Sequence, residues 1–283
     1  MPAANASETA APASAIVQTA AATATSTANT AAVPDTKAAA YPPAPKLTAS
    51  DYPTLRGVNS RVAVWLVAQL HLWFGAFVLA VPIFVFIIEA IGMATRDERY
   101  DNMAFEFMKV SIIAYSLTAI LGGLLTFSLV LFYPDLFKYL ATIFKGSMFA
   151  YALLFFAESA ILYIYYYGWH WLQGGNKKWV HLTLGLLLNA VGCLLMFLAN
   201  AWTTFMMSPA AVDAAGVFNG DTWAAIHNFL WNPINIHRFV ANVAYGGSII
   251  GAYAAFKFLS ARSKEERAHY DWVGYNANFI AIA

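Results

Sequence analysis

Hydrophobic residues fall in five long blocks, each bounded by a short polar or charged stretch. The first, residues 62–93, reads VAVWLVAQLHLWFGAFVLAVPIFVFIIEAIGM, and only Gln69, His71 and Glu89 interrupt it. It is longer than the roughly 20 residues that a helix needs to cross a bilayer core of about 30 Å. A second block covers 104–132 and ends before Pro134 and Asp135; Glu106 and Lys109 lie near its start, where snorkelling to the interface accounts for both charges. The third, 149–167, carries Glu158 near its middle, and the fourth, 180–205, holds Asn189, Cys193 and Asn200. The fifth, 236–259, opens with His237 and Arg238. Residues 221–231 have the pattern of a short interfacial helix lying on the membrane. Residues 263–267, SKEER, read as a solvated loop, and 273–283 as the first turns of a sixth apolar helix, too short to span.

Outside these blocks, residues 1–50 are rich in Ala, Thr, Ser and Pro and carry too little apolar bulk to offset the entropy of ordering. They are expected to form a disordered tail. No basic start precedes an apolar core there, so no cleavable signal peptide is expected and the first span directs insertion. A polar lead-in over 51–60 follows, with Asn59 or Ser60 as the helix cap. The predicted fold is an all-α membrane protein. It is a polytopic bundle of about five transmembrane helices plus the start of a sixth, occupying 51–283 behind the tail.

Composition agrees: 60% of the 283 residues are hydrophobic and 11% charged, against about 25% charged in a soluble domain. A net charge of +1 with no basic patch gives no nucleic-acid partner; the bilayer is the partner expected. The single Cys193 excludes an intrachain disulfide and a cysteine metal cluster, and reads as a small packed residue. Lys and Arg are divided unevenly between the two sets of loops. Arg56, Arg61, Lys138 and Lys145 lie on the side of the N-terminus. Arg96, Arg99, Lys177, Lys178, Lys257, Arg262, Lys264 and Arg267 lie on the other. The positive-inside rule then places the N-terminus outside.

Ionisable groups within spans cost on the order of 2.5–3.5 kcal/mol on insertion scales, so those that persist face protein, a cofactor or a proton path. His71 and Glu89 are the first candidates, and at five whole turns apart they point to one face. A buried histidine ligates haem iron, handles protons, or bonds to a neighbouring helix. All three stay open for His71. His237 lies beside Arg238 at a depth where a haem propionate can meet the guanidinium; an interfacial basic cluster is the alternative, and the spacing favours it. His170, His181 and His269 sit at or in charged loops and read as solvated, and His227 lies on the surface helix. Glu158 has no Lys or Arg within two turns, so it is either protonated or served by a proton or water path. Asn189 and Asn200 share a face with Cys193, and interhelical hydrogen bonding is the expected use.

The order of these residues resembles the N-terminal portion of subunit I of the cytochrome bd quinol oxidases. The resemblance is carried by HLWFGAFVLAVPIFVFIIEAIG from His71, GSMFAYALLFFAESAILYIYYYGW from Gly146, FLANAW from Phe197 and WNPINIHRFVANVAYGG from Trp231, over about 59–283. It implies a helical subunit of the bacterial inner membrane that carries two b-type haems and usually haem d, oxidises quinol and reduces dioxygen. His71 matches the family's first-span haem ligand, and Glu158 its third-span carboxylate on a suggested proton route. Two positions depart. The fifth-span ligand of the quinol-side haem b falls on Ala241, with His237 one turn earlier as a substitute, and a second carboxylate falls on Ala150 or Tyr151. The family's Met and Glu ligands and its quinol-binding loop align beyond Ala283. The resemblance therefore implies a divergent or split subunit, or a piece of a longer one, whose other membrane subunits supply the remaining ligands. Haem b is the expected cofactor, with haem d as a further one and quinol as a partner. The rivals are a haem b electron-transfer anchor without oxygen reduction, and a non-catalytic scaffold.

Overall fold

The computed structural model describes residues 41–283. Over 1–40 the expected tail lies outside the described residues. Residues 41–50 are placed: Tyr41 meets Phe218 edge-on at 5.0 Å, and the Ala44 N–H donates to the Gly216 carbonyl at 3.2 Å. Gly216 has φ +78°, and a Cβ there would stand 2.5 Å from that of Ala44, so both backbone conformation and close approach call for glycine. A two-stranded hairpin, β1 (Thr54–Leu55) and β2 (Val58–Asn59), leads into the first helix.

Helix α1, Ser60–Thr95, begins where the Asn59 side chain accepts from the Arg61 N–H at 2.9 Å, the expected capping arrangement. It stops at Arg96, which turns left-handed (φ 60°) as its N–H closes on the Gly92 carbonyl. Asp97 caps α2, Glu98–Phe132. There follow α3 (Pro134–Ile143), α4 (Lys145–Tyr167), α5 (Trp169–Leu172), α6 (Lys177–Met207), α7 (Thr222–Ile226), α8 (Trp231–Ser260) and α9 (Lys264–Ile282). Helices α1, α2, α4, α6 and α8 are long and apolar enough to cross a membrane, in agreement with the five predicted spans.

The bundle is organised around α1. Its most apolar window is 44% buried, against 17% for α2 and for α4, and it packs on α2, α6 and α8. The contact with α8 is close because Gly246 lies under the Ala80 carbonyl, which a Cβ at Gly246 would meet at 2.8 Å. The main core runs from Val78 and Phe84 through Met108, Tyr115, Leu162 and Tyr165 to Ile250. A second core, at the far ends of α3 and α6, gathers Tyr139, Phe144, Phe205 and Phe218. Large apolar residues on α2 such as Ile113, Ile120 and Phe127 stay more than 60% exposed, as a lipid-facing surface does.

Three local expectations differ. Pro134 ends the second span and also opens α3, because proline is tolerated at a helix's first position. The surface helix contracts to Thr222–Ile226, and Trp231 already belongs to α8. The 263–267 stretch is the cap and first turn of α9, with the Ser263 hydroxyl accepting from the Glu266 N–H at 3.0 Å, so the last helix starts at Lys264 rather than at 273.

Candidate functional site

His71 sits twelve residues into α1 with its ring against α2. Its Nδ1 is 3.2 Å from the Thr118 carbonyl oxygen. A carbonyl only accepts, so Nδ1 carries the proton and the neutral ring leaves Nε2 with its lone pair and no hydrogen-bond partner among the described residues. This is the arrangement of a ligating imidazole, whose second nitrogen donates to a fixed acceptor. Gly122 makes room for it: a Cβ there would stand 3.0 Å from the ring's Cε1. The His71 imidazole therefore has the donor chemistry to hold a haem iron. Among the described residues no cluster of three or more His, Cys, Asp or Glu could hold a metal ion.

Glu158, on α4, is 6% exposed and makes no hydrogen bond among the described residues. It lines a cavity of about 10 Å³ with Val78, Leu79, Pro82, Asn189, Gly192 and Cys193, near the lower limit for one water. The wall is polar in places. Pro82 has no N–H to offer the Val78 carbonyl, and the Asn189 amide donates to the Pro82 and Gly185 carbonyls at 3.2 and 2.9 Å. Gly192 leaves the space that the carboxylate fills, a Cβ there lying 2.9 Å from Oε1. Asn189 thus ties α6 to α1, the expected interhelical use.

Arg238 is half-buried on α8 and donates from Nη1 to Asn200 Oδ1 at 2.5 Å. Asn200 Nδ2 donates in turn to Asn235 Oδ1 at 2.6 Å. Asn235 Nδ2 is buried without a hydrogen-bond partner among the described residues and borders a groove of about 350 Å³ lined by Phe197, Trp231, Asn232, Ile236 and Phe239. His237 is exposed, as is Ala241 one turn on. With Ala80 against Gly246, His71 and His237 each lie nine residues before that contact. The first and fifth spans run in the same direction, so the two histidines share a depth, yet no hydrogen bond or ring contact joins them.

Several readings of the sequence are corrected. His181, expected to be solvated, is fully buried: Nδ1 lies 2.5 Å from Glu89 Oε1 and Nε2 3.0 Å from the Tyr165 carbonyl oxygen. The Tyr165 hydroxyl donates to Glu89 Oε2 at 2.5 Å. Lys178, one turn earlier, pairs with Asp101. Helix α6 begins at Lys177, so a residue beside a basic loop is already a turn inside the bundle. The available signal was Glu89, a lone carboxylate in a span, which needs a cation or donor at its own depth. His71 and Glu89 also meet different neighbours, α2 for the first and α4 with α6 for the second. Packed helices cross at an angle, so one face changes partners along its length.

The remaining histidines carry no such constellation. His170 is exposed with its ring edge-on to Phe105, and His227 lies between Trp223 and Trp231 at 3.7 and 4.4 Å. His269 belongs to α9 rather than to a loop. Glu106 does not snorkel: it accepts from the Tyr253 hydroxyl of α8 at 2.7 Å.

Residues 59–283 match the family described as cytochrome bd terminal oxidase subunit I. The chain is 23% identical over 200 residues to the Bacillus subtilis (strain 168) protein named "Putative cytochrome bd menaquinol oxidase subunit I", covering 69% of this chain and 44% of that protein. Its fold is similar to the bd oxidase from Geobacillus thermodenitrificans, with a TM-score of 0.70 at 19% identity over 78% of this chain and 50% of the other. The chain spans about half the length of the relatives it matches.

Proposed function

The chain belongs to the cytochrome bd terminal oxidase subunit I family, and on that premise we propose that it is a haem-binding membrane subunit of a respiratory complex that moves electrons from quinol toward dioxygen. Its seat would be the bacterial inner membrane, beside other membrane subunits that complete the ligand set. The observation that carries the reading is the His71 ring, fixed through Nδ1 to Thr118 with Nε2 free. Haem held there by His71, haem b or haem d, would supply one-electron chemistry and the reduction of dioxygen.

The chain's own residues do the rest. His71 ligates and is oriented by α2, where Gly122 leaves room for the ring. Glu158 holds a proton beside its small cavity, away from any cation. Arg238, fixed by Asn200, offers its remaining N–H groups to a carboxylate such as a haem propionate, and His237 stands one turn before the Ala241 position as the substitute ligand.

The test is a pyridine haemochrome assay with oxygen consumption on the purified complex. His71→Ala is expected to lose haem, and Glu158→Gln to keep haem while consuming oxygen more slowly. Full haem content in His71→Ala removes the ligand assignment. Haem without oxygen consumption in the unaltered complex selects the anchor, and no haem at all selects the scaffold.

A further inference from the structure

Three membrane helices meet at a buried acid, a base and a phenol that the proposed function leaves unused. Glu89 of α1 and His181 of α6 are each 0% exposed, and Tyr165 of α4 is 1% exposed. The proton count at this cluster follows from its hydrogen bonds. His181 Nε2 faces a carbonyl, which only accepts, so Nε2 carries a hydrogen. One proton is then shared along the 2.5 Å line between Nδ1 and Glu89 Oε1, and the pair is neutral overall whether that proton resides on nitrogen or oxygen. The Tyr165 hydroxyl donates to the other carboxylate oxygen, and its ring stacks on the imidazole at 4.1 Å. Trp169 closes the site edge-on at 4.6 Å.

Access lies on the side of the α1–α2 loop. Asp101 and Lys178 form an ion pair there with side chains 18% and 14% exposed, so the pair touches water, and Asp101 lies against Gly92, one turn from Glu89. Asp101 Oδ1 is buried and has no hydrogen-bond partner among the described residues. In the other direction the Glu158 cavity lies at a common interval on all three helices: Glu89 to Pro82, Tyr165 to Glu158, His181 to Asn189. Seven or eight residues are two turns, about 10–12 Å. The Asn189 side chain, which borders the cavity and bonds the Gly185 carbonyl, stands in that interval.

We propose that Glu89, His181 and Tyr165 form a second proton-holding site, which takes protons from the aqueous phase on the α1–α2 loop side and supplies Glu158. A proton reaching the Asp101 carboxylate passes to the His181–Glu89 pair. The pair releases one from Glu89 Oε2 to the Tyr165 oxygen, whose own hydrogen turns from Glu89 toward the Gly185 side and leaves for Glu158, so the cluster carries the same charge before and after while Glu158 gains the proton. The inference rests on the reading of Glu158 as a proton-handling group.

The test uses the full chain with its natural partner subunits in liposomes, following proton uptake with a membrane-impermeant pH-sensitive dye as the reduced haems are reoxidised by dioxygen. Tyr165→Phe removes one hydroxyl and keeps the ring, and Glu89→Gln keeps the side-chain shape. Each is expected to slow uptake about 100-fold or more, with haem content and electron entry unchanged. Uptake at the wild-type rate in Tyr165→Phe overturns the proposal and leaves the cluster a tie between helices, even where Glu89→Gln fails to assemble. On the unaltered complex, dye confined to the α1–α2 loop side is expected to report the uptake. Uptake reported only by dye on the opposite side overturns the proposal without recourse to a variant. Glu158→Gln separates the two claims. Slow uptake there beside normal uptake in Tyr165→Phe sinks the second site alone, and normal uptake in Glu158→Gln sinks the reading it rests on.

Discussion

The His71 ring is held on one side by a carbonyl and on the other by the lack of a side chain. Thr118 accepts from Nδ1, and Gly122, one turn later on α2, lets the ring lie against the helix. A Cβ added at Gly123 would meet nothing within 4 Å, so the two adjacent glycines form a matched pair for experiment. Gly122→Leu is expected to push the ring off Thr118 and weaken haem binding about 10- to 100-fold, the usual effect of losing the group that orients a ligating histidine. Gly123→Leu, toward open space, is expected to bind haem as the unaltered chain does. Haem titration of the two proteins checks this, and equal affinities would detach His71 from the iron. His71 and Glu158 draw notice in the sequence because an ionisable group in an apolar run stands out by its cost. The partners do not: Thr118 contributes only a backbone carbonyl, and Gly122 acts by absence. His181 escaped because its neighbours in sequence are lysines, whereas its neighbours in space are Glu89, Tyr165 and Trp169.

Among the elements, the five spans followed from hydropathy because lipid requires each backbone polar group to be satisfied within its own helix. What hydropathy does not carry is which helix lies at the centre. That depends on where two backbones approach, and α1 meets α8 through Gly246 under the Ala80 carbonyl. The neighbour is backbone rather than a flexible side chain, so α8 itself would have to move. Gly246→Leu is expected to destabilise the bundle by about 1–3 kcal/mol, the usual range for overpacking, and to lower its melting temperature in detergent. Gly146→Leu, where nothing lies within 4 Å, serves as the control. If the two variants melt together, the central place of α1 does not depend on this contact. The helix α3 illustrates the opposite limit: Pro134 reads in sequence as an end, and only the buried Tyr139, Leu140 and Ile143 show it to be a beginning.

For the whole molecule the open physical question is which way the bundle faces, and charge is what answers it. The helix ends and turns at α1–α2, α4–α6 and α8–α9 carry Arg96, Arg99, Lys177, Lys178, Lys257, Arg262, Lys264 and Arg267, and the opposite end carries Arg56, Arg61, Lys138 and Lys145. Basic residues near span ends are retained on the cytoplasmic side. The α6–α8 connection, with Asp213 and Asp221 and no Lys or Arg between Met207 and Trp231, is then expected to lie outside. Cys193 lies within α6, and its replacement by Ala leaves a background for single-cysteine labelling. Asn219→Cys, at an exposed position of the α6–α8 connection, is expected to react with a membrane-impermeant thiol reagent on intact cells, and Arg262→Cys only after the membrane is opened. The opposite pattern inverts the bundle. It would also turn the Asp101–Lys178 pair to the outer face, so that protons reaching Glu89 and His181 would come from outside the cell rather than from the cytoplasm. The direction of labelling therefore decides from which side of the membrane the proposed site would draw its protons.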